Sequence, residues 1–331
     1  MSSLRLDQRS FSQQRKCPAM LPEVAQRSST HSHSYQAAFE SFERAGYSRE
    51  VATETMRNAV HIADRARHQF CKEHSDVRPQ DIRIALSLGP FGAVLSPMQD
   101  FGGIYPLPYG PRAYSDSEEN TTSFGDDIAG KNNSIQALTR FHEDRLRVFT
   151  SDEETWNKVD FVAFETVPLV REVEAIRRAV DNMREIMGNK PWWITATFPD
   201  GKCPETRQPG GDSFTASDVA NAMLHSTDDD VPVPIGIGIN CTALAFLPKL
   251  LQDFERATDE NKTPFLVLQP NGGGGFDSST QAFRKAEEND RWAEVLASMV
   301  REAKGRGWKN IIFGGCCKTG PDDIRALGKA M

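Results

Sequence analysis

The sequence predicts an α/β protein built on a parallel sheet, and three observations support this fold class. From residue 82 onward, six short apolar segments alternate with longer segments of helical pattern, as is typical of a parallel sheet covered on both faces. Glycine, proline and small polar residues separate the segments and mark turns. The 331 residues are enough to bury one large core or two smaller ones. An open doubly wound sheet and a closed (β/α)₈ barrel both satisfy this pattern, and both carry their chemistry at the carboxyl ends of the strands.

Charge and composition narrow the range of partners. The net charge of −7 gives no positive surface for nucleic acid or an anionic membrane, so neither partner is expected. No apolar run is long enough to span a bilayer, and the polar N-terminus lacks the apolar stretch of a signal peptide. We therefore expect a cytoplasmic protein whose six cysteines stay reduced rather than form disulfides. A cluster of cysteines in such a protein indicates metal binding or catalysis.

The N-terminal part of the chain differs from the rest. Residues 1–33 are rich in Ser, Gln and Arg and show no hydrophobic period, so we expect an irregular segment there and one domain over residues 34–331. The first elements of that domain are a helical turn after Tyr35 and a long helix. Ser48 is the expected N-cap of this long helix.

Strand and helix signals then follow in regular order. The predicted strands cover residues 82–88, 160–164, 192–198, 234–241, 265–268 and 311–313. The predicted helices cover residues 134–149, 168–186, 216–225, 244–256 and 290–304, with a last helix from residue 321. A long loop rich in glycine, proline and serine occupies residues 93–132. Loops of that length in compact domains are commonly functional covers.

Three cysteines follow the ends of predicted strands. Cys316 and Cys317 come after the last strand and two glycines, and Cys241 ends an earlier strand. In one parallel sheet these thiols would project from the same edge. A buried cysteine pair can also be ordinary core packing, but a third thiol at an equivalent strand end favours a metal. Three protein ligands with an open fourth position are typical of catalytic zinc sites, and three thiolates suit activation of a thiol substrate.

Two further strand ends carry polar residues with alternative interpretations. Glu165 ends the predicted strand at residues 160–164; it could bind a substrate ammonium group or cap the helix that follows near Pro168. Asn271 and four glycines follow the strand at residues 265–268. This run resembles a phosphate-binding turn, but it lacks the Lys-Ser/Thr pair of a P-loop, so a flexible loop is the preferred interpretation.

Together these motifs resemble the homocysteine S-methyltransferase family. The shared stretches are Tyr35-Gln36-Ala37-Ala38-Phe39, Gly89-Pro90-Phe91-Gly92-Ala93, Phe164-Glu165-Thr166-Val167-Pro168, Gly238-Ile239-Asn240-Cys241, Gln269-Pro270-Asn271-Gly272 and Gly314-Gly315-Cys316-Cys317. The resemblance implies a (β/α)₈ TIM-type barrel with Zn²⁺ held by Cys241, Cys316 and Cys317 and the homocysteine sulfur as fourth ligand. It also implies that Glu165 and Asn240 bind the substrate. Methyl donors in the family include S-methylmethionine, S-adenosylmethionine and, in a more distant branch, betaine.

The chain departs from the family pattern near its N-terminus. The family opens with an Asp-Gly-Gly strand and a second strand before the Tyr-Gln motif, whereas this chain has no Asp-Gly-Gly there. The polar residues 28–34 stand where the second strand is expected. We therefore expect a barrel that is incomplete at its N-terminus, with its first one or two strands missing or replaced. A gap should then separate the strand at residues 82–88 from the one at residues 311–313.

The sequence supports one main function and two alternatives. The main hypothesis is zinc-dependent methyl transfer from S-methylmethionine or S-adenosylmethionine to homocysteine, giving methionine. The loops after residues 88 and 198 would cover the donor. An inactive zinc-binding relative with a binding or regulatory role is the first alternative. A barrel enzyme that binds a phosphate ligand at residues 271–275 is the second.

Overall fold

The main strands form one curled parallel sheet. The computed structural model describes residues 28–31, 34–225, 231–258, 264–273, 276–277, 282–283 and 291–331. Within these residues, seven strands lie side by side in chain order. The first six are β1 (Ser28–His31), β2 (Ile82–Leu88), β3 (Phe161–Val167), β4 (Trp192–Ala196), β5 (Gly236–Ala243) and β6 (Phe265–Asn271). A short antiparallel pair follows, β7 (Phe276–Asp277) and β8 (Ala282–Phe283), and the seventh strand of the sheet is β9 (Ile311–Phe313).

All six strands that the sequence predicts from residue 82 onward are present. Each pairs in parallel with its neighbours, so their carboxyl ends lie at one edge of the sheet. The pairing is regular except near that edge. The register shifts between Phe164 and Val167 in β3 and between Asn240 and Ala243 in β5. These irregularities fall on Glu165 and Cys241, two of the residues expected to be functional.

The N-terminus differs from the sequence expectation. Residues 28–31, expected to be irregular, form β1, which pairs in parallel with β2 from Ser28 opposite Ile82 to His31 opposite Ala85. This pairing uses backbone groups alone, so a polar Ser-Ser-Thr-His segment can add to the free edge of β2 without an apolar alternation. The rest of the expected irregular segment, residues 1–27 and 32–33, lies outside the described residues and stays a prediction.

The sheet has two edges within the described residues. β1 and β9 are its outermost strands, and no ladder joins them in that part of the chain. The gap that the sequence analysis expected beside β2 therefore lies beside β1, because β1 covers that side of β2. This arrangement is consistent with an incomplete TIM-type barrel.

Ten α-helices lie among the described residues. They are α1 (Phe39–Arg44), α2 (Arg49–Glu73), α3 (Ile128–Thr150), α4 (Glu153–Lys158), α5 (Val170–Asn182), α6 (Arg184–Met187), α7 (Ala216–Leu224), α8 (Leu247–Glu255), α9 (Trp292–Gly305) and α10 (Pro321–Ala330). Ser48 and Thr215 cap α2 and α7, as their sequence signals indicate. The helix expected from residue 134 begins earlier, at Ile128, where Asp127 is the N-cap. None of the described helices has both the length and the apolar character needed to cross a membrane.

The two faces of the sheet are packed differently. One face carries the large core that it shares with the helices, including Leu86, Phe164 and Ile237. The other face carries a small cluster centred on the buried Trp193 and Val267. Since successive strand residues point to opposite faces, this division follows from the alternation along each strand. The strands end together at the carboxyl edge of the sheet, and the candidate site is built there.

Candidate metal centre

Cys241 is held at a distorted strand end. It lies in the last part of β5, it is buried, and its backbone has a φ of 48°. Positive φ is uncommon for a residue with a Cβ and persists where the surroundings enforce it. The neighbouring strand β6 passes close to β5, and a Cβ at Gly238 would collide with the carbonyl of Val267. The glycines before Cys241 therefore serve the close approach of these two strands.

Cys316 and Cys317 are fixed by the backbone of β6. The chain after β9 continues beside β6, with hydrogen bonds from Gly314 N–H to Leu268 O (3.0 Å) and from Cys316 N–H to Pro270 O (2.9 Å). Gly272 N–H in turn donates to Cys317 O at 2.8 Å. The Gln-Pro-Asn-Gly segment at the end of β6 thus sets the position of both cysteines relative to Cys241.

The three thiols meet as the sequence predicts. Their sulfur atoms lie within 4.8 Å of one another, and they are the one group of three or more potential metal ligands of this kind in the described residues. The Cys241 and Cys317 sulfur atoms are 3.9 Å apart. Zn–S bonds of about 2.3 Å in a tetrahedron place sulfur atoms about 3.8 Å apart, so this spacing fits zinc.

One feature contradicts the expectation that the cysteines are reduced. Cys241 and Cys316 are joined as a disulfide, with Cα atoms 5.5 Å apart. This separation lies within the usual range for disulfides, so two thiols brought this close by neighbouring strands can bond. Metal ligation requires both as thiolates. Cys317 remains a free, half-buried thiol, and burial, with a smaller contribution from the negative charge of Asp100, raises its pKa.

The other cysteines lie elsewhere or outside the described residues. Cys71 lies half-buried in α2 and Cys203 is buried in the loop after β4, where its thiol contacts Pro168 O at 3.7 Å. Neither belongs to the three-thiol group. Cys17 lies outside the described residues, as do residues 274–275 of the glycine run that the sequence analysis considered for phosphate.

Asn240 and Thr166 connect β5 to β3 beside the thiols. Thr166 N–H donates to Asn240 Oδ1 at 2.8 Å, and Asn240 Nδ2 donates to Thr166 Oγ1 at 2.8 Å. This pair of bonds holds Thr166 at a φ of 60°, a genuine outlier for a β-branched residue. Both side chains also contact the Cys241 sulfur at 3.6 Å. The amide of Asn240 is therefore engaged inside the protein.

Glu165 lies in the same irregular part of β3. It is 8% exposed, and its Oε2 accepts a hydrogen bond from Ser87 Oγ at 2.5 Å. The N-cap of the helix that follows, α5, is Leu169 rather than Glu165. Glu165 directly precedes Thr166, which contacts the Cys241 sulfur at 3.6 Å, so a buried carboxylate is adjacent to a residue that contacts the thiols.

Two further residues, Tyr35 and Asp100, belong to this part of the site, although the sequence analysis did not assign them to it. Tyr35 Oη donates to Asp100 Oδ2 at 3.0 Å and also has a side-chain hydrogen bond with Thr166. Burial and the charge of Asp100 raise the pKa of Tyr35 well above its usual value, so the phenol stays protonated. A Cβ at Gly89 would collide with the Tyr35 ring. The signal for Tyr35 was its shared motif, whereas Asp100 lies in a loop whose conformation has no local sequence signature.

Asn271 provides an independent test of whether the site suits a metal or a polar ligand. It ends β6, between Cys241 on β5 and the cysteines after β9, and it is 2% exposed. Neither its Oδ1 nor its Nδ2 has a hydrogen-bond partner within the described part of the chain. Buried amides are normally paired, so an unpaired one beside three thiols indicates an absent ligand. The residues present therefore fit a bound group at this edge.

The loops after β2 and β4 are fastened to each other. Thr122 Oγ1 donates to Pro204 O and accepts from Thr206 N–H, both at 3.1 Å. Arg171, at the start of α5, donates to Thr122 O at 2.7 Å and to Glu205 Oε1 at 2.6 Å. These are the two loops that the sequence analysis expected to cover the site. Their contact makes one continuous structure next to the carboxyl edge.

The adjacent Glu172 anchors the start of the first loop. Its carboxylate accepts from Phe91 N–H (2.7 Å) and Tyr105 Oη (2.8 Å), and it lies 3.1 Å from His142 Nε2. The carboxylate and imidazole are fully buried. Burial is the main cause that lowers the pKa of His142, and the nearby Glu172 opposes it. Consecutive residues of α5 thus hold both loops.

The sequence is similar to a family of known proteins. The family model described as "Homocysteine S-methyltransferase" matches residues 25–331. The chain is 28% identical to homocysteine S-methyltransferase 2 of Arabidopsis thaliana, over 91% of this chain and 77% of the relative. It is 29% identical to selenocysteine Se-methyltransferase of Brassica oleracea var. italica, over 91% and 74%. It is 27% identical to homocysteine S-methyltransferase YbgG of Bacillus subtilis (strain 168), over 89% and 76%.

Solved structures agree on the fold. The metallated form of the homocysteine methyltransferase MmuM from Escherichia coli matches with a TM-score of 0.62 at 22% identity, covering 93% of this chain and 81% of that one. The oxidized form of the same enzyme has the same TM-score at 21% identity, covering 93% and 80%. Since the family model covers nearly the whole described chain, this protein belongs to the homocysteine S-methyltransferase family.

Proposed function

We propose that the protein transfers a methyl group from S-methylmethionine or S-adenosylmethionine to homocysteine in a zinc-dependent reaction, giving methionine. The observation that supports this most is the group of three sulfur atoms within 4.8 Å at the carboxyl edge. A site that methylates a thiol needs metal ligands that keep the sulfur of this thiol electron-rich, and three thiolates have this effect. The names of the relatives describe transferases, so they give no support to an inactive binding role.

Different residues of this chain would have different roles in such a site. In their reduced state, Cys241, Cys316 and Cys317 would hold Zn²⁺. When bound, Zn²⁺ lowers the pKa of a coordinated thiol, so that the acceptor is a thiolate at neutral pH. Asn271, whose buried amide lacks a partner in the described structure, is available to the same ligand shell or to the substrate. Fixing the acceptor sulfur and the methyl carbon in line would supply much of the rate enhancement.

Glu165 is the residue that we assign to the substrate ammonium group. Its buried carboxylate is oriented by Ser87 Oγ and precedes a residue that contacts Cys241. Asn240, expected from the family resemblance to bind substrate, acts in this proposal through Thr166, because its amide already bonds to that residue. It would thereby fix both Glu165 and the Cys241 sulfur.

The expected domain boundary changes, because β1 at residues 28–31 belongs to the sheet. In this proposal, residues 34–331 together with β1 form the homocysteine-binding domain. The protein acts in the cytoplasm on homocysteine and a small methyl donor, with no nucleic acid or membrane partner. The net charge of −7 supports the absence of an electrostatic surface for polyanions.

Zinc stoichiometry in reduced protein tests the metal assignment. We expect about one zinc per chain in the wild type and a loss of most of it in Cys316→Ser, because a three-thiolate site loses one of its ligands. Cys71→Ser is the matched control, since Cys71 lies in α2 away from the three thiols, and it should keep its zinc. Unchanged zinc in Cys316→Ser would contradict the assignment.

Methionine formation tests the reaction itself. Wild-type protein, reduced and loaded with zinc, is assayed with homocysteine and each donor in turn. Methionine with either named donor supports the proposal. Zinc binding without methionine from S-methylmethionine, S-adenosylmethionine or betaine would overturn it in favour of a binding role.

A further inference from the structure

Asp100 is a buried carboxylate that is connected to the thiols through Tyr35 and Thr166, and it has no cationic partner among the described residues. It is 6% exposed and belongs to the loop after β2. In the described part of the chain, no lysine, arginine or histidine forms an ion pair with it. Its partners there are the Tyr35 hydroxyl and nearby backbone N–H groups. A buried carboxylate without a counter-charge is costly unless a ligand supplies the charge.

The position of Asp100 is fixed by a chain of contacts that ends at the metal-ligating edge. Tyr35 Oη lies 3.0 Å from Asp100 Oδ2 and is hydrogen-bonded with Thr166, whose Oγ1 lies 3.6 Å from the Cys241 sulfur. These contacts place the negative charge of Asp100 near the acceptor site. Desolvation raises the pKa of Asp100, as expected for a carboxylate that lacks a counter-ion.

We propose that the Asp100 carboxylate, held by the Tyr35 hydroxyl, binds the positively charged group of the methyl donor and so selects a cationic donor. This inference rests on the proposed function and adds a specificity-determining residue to it. Glu165 is assigned to the amino group of homocysteine, which leaves Asp100 as the second buried carboxylate of the site. The donor is the second reactant that carries a positive charge.

The change of charge during the reaction determines whether Asp100 affects KM or kcat. The bond between the methyl group and the cationic atom breaks, and its electron pair stays on that atom, which becomes neutral. The methyl carbon bonds to the homocysteine sulfur through a thiolate electron pair, and the thiol proton goes to solvent. Because the positive charge disappears as the methyl leaves, an ion pair with Asp100 is stronger in the bound donor than in the transition state. Loss of that ion pair should raise KM for the donor without lowering kcat.

The test combines a change of residue charge with a change of ligand charge. Asp100→Asn keeps the shape of the side chain and removes its charge, and Tyr35→Phe removes the hydroxyl that holds it. Asp116→Asn is the matched control, because Asp116 lies exposed on the same loop. Zinc-loaded full-length protein is assayed for KM and kcat with S-methylmethionine and homocysteine. Homoleucine, in which a CH group replaces the sulfonium sulfur, is the competitor that is uncharged at this position.

We expect Asp100→Asn to raise KM for S-methylmethionine roughly tenfold or more, as for loss of one partner of a buried charge pair. The homocysteine KM should change less than about twofold, the homoleucine inhibition constant should stay unchanged, and kcat should not fall. Tyr35→Phe should shift the same constants in the same direction by less, and Asp116→Asn should leave them all unchanged. Using betaine in place of S-methylmethionine separates a quaternary ammonium from a sulfonium or amino group as the bound cation. The larger KM shift identifies which of them Asp100 meets.

Several results would overturn this inference and leave the proposed function intact. They are an unchanged donor KM in Asp100→Asn, a rise in the homocysteine KM instead, or an equal loss of homoleucine binding. Thermal unfolding of each variant shows whether it is folded, and calorimetric titration with S-methylmethionine measures binding without turnover. A wild type that makes no methionine from homocysteine overturns the proposed function instead, so the two failures are distinguishable.

Discussion

At the scale of single residues, the site depends on backbone conformations that few residues adopt. Thr166 and Cys241 both have positive φ, at the ends of strands that each show a register shift. The Asn240 amide bonds to Thr166 in both directions. A buried Asn that hydrogen-bonds with a neighbour of positive φ can stabilise this unfavourable backbone conformation. We infer that Asn240 is required to place Glu165 and the Cys241 sulfur.

Replacement of Asn240 tests this residue-scale argument. Asn240→Ala leaves the buried Thr166 N–H unpaired, so the free energy of unfolding should fall by about 2–3 kcal/mol, the cost of a buried unsatisfied donor. Urea unfolding measures this. Asn182→Ala is the control, since the Asn182 amide bonds to Glu143 at the exposed surface and its loss should cost less. Equal stability of Asn240→Ala and wild type would show that the bonds to Thr166 are dispensable.

Functional residues could be predicted from the sequence where they lie at strand ends, but not where they lie in loops. Glu165 and Cys241 lie near the ends of apolar strands, and the Cys316–Cys317 pair comes two glycines after another. The strand pattern therefore predicted that they meet at one edge. Asp100 lies twelve residues after the end of β2, in a loop whose course is set by distant contacts such as that of Glu172 with Phe91 N–H. The role of Asn240 was also beyond sequence reasoning, because its partner is 74 residues away along the chain.

At the scale of elements, local signals in the sequence were accurate where side chains act on their own helix. Ser48 was the expected cap of α2 and accepts a hydrogen bond from Val51 N–H. Thr215 caps α7 in the same way and accepts from Asp218 N–H. β1 was missed because its pairing uses backbone groups along the edge of β2 and requires no apolar pattern. Long-range contacts also set the position of the segment after residue 33. The buried Arg145 of α3 donates to the carbonyls of Ser34, Tyr35, Ala37 and Gly89.

The cap of α7 gives a prediction about stability and pH. Thr215 and Asp218 form a reciprocal capping box, so Thr215→Ala should lower the free energy of unfolding by about 1 kcal/mol. The pKa of Asp218 is lowered: burial raises it, but the hydrogen bonds with Thr215 and the ion pair with Arg207 outweigh this. Stabilisation by Asp218 is therefore present above the pKa of the unfolded carboxyl group and is lost as pH falls through the folded value.

Chemical denaturation of wild type, Thr215→Ala and Asp218→Asn between about pH 2 and pH 7 measures the stability loss in Thr215→Ala and the pH dependence of the stabilisation by Asp218. The stability difference between wild type and Asp218→Asn should be largest near neutrality and shrink in acid. A difference that grows as the pH falls would contradict the sign. Asp212→Asn, in the loop before the helix and outside the capping box, is the control.

At the scale of the whole molecule, the protein is a curled sheet whose two outermost strands are not paired with each other in the described residues. The edge strand β9 precedes Cys316 and Cys317 and is only half-buried. By contrast, β4 and β5 have paired strands on both sides. Two of the proposed ligands are therefore attached to a less protected part of the sheet, and Cys241 to a more protected part. Metal binding would join the two.

Hydrogen exchange followed by mass spectrometry tests this view of the molecule. Amides of β4 and β5 should exchange slowest, and those of β1 and β9 much faster, because an edge strand leaves part of its N–H groups unpaired. Zinc added to reduced protein should slow exchange in the peptide that contains residues 314–317 and leave β1 unchanged. Cys316→Ser should abolish that slowing. If β1 and β9 are instead as protected as β5 in the absence of metal, another segment or a second chain closes the gap between them, and the incomplete barrel is not the state in solution.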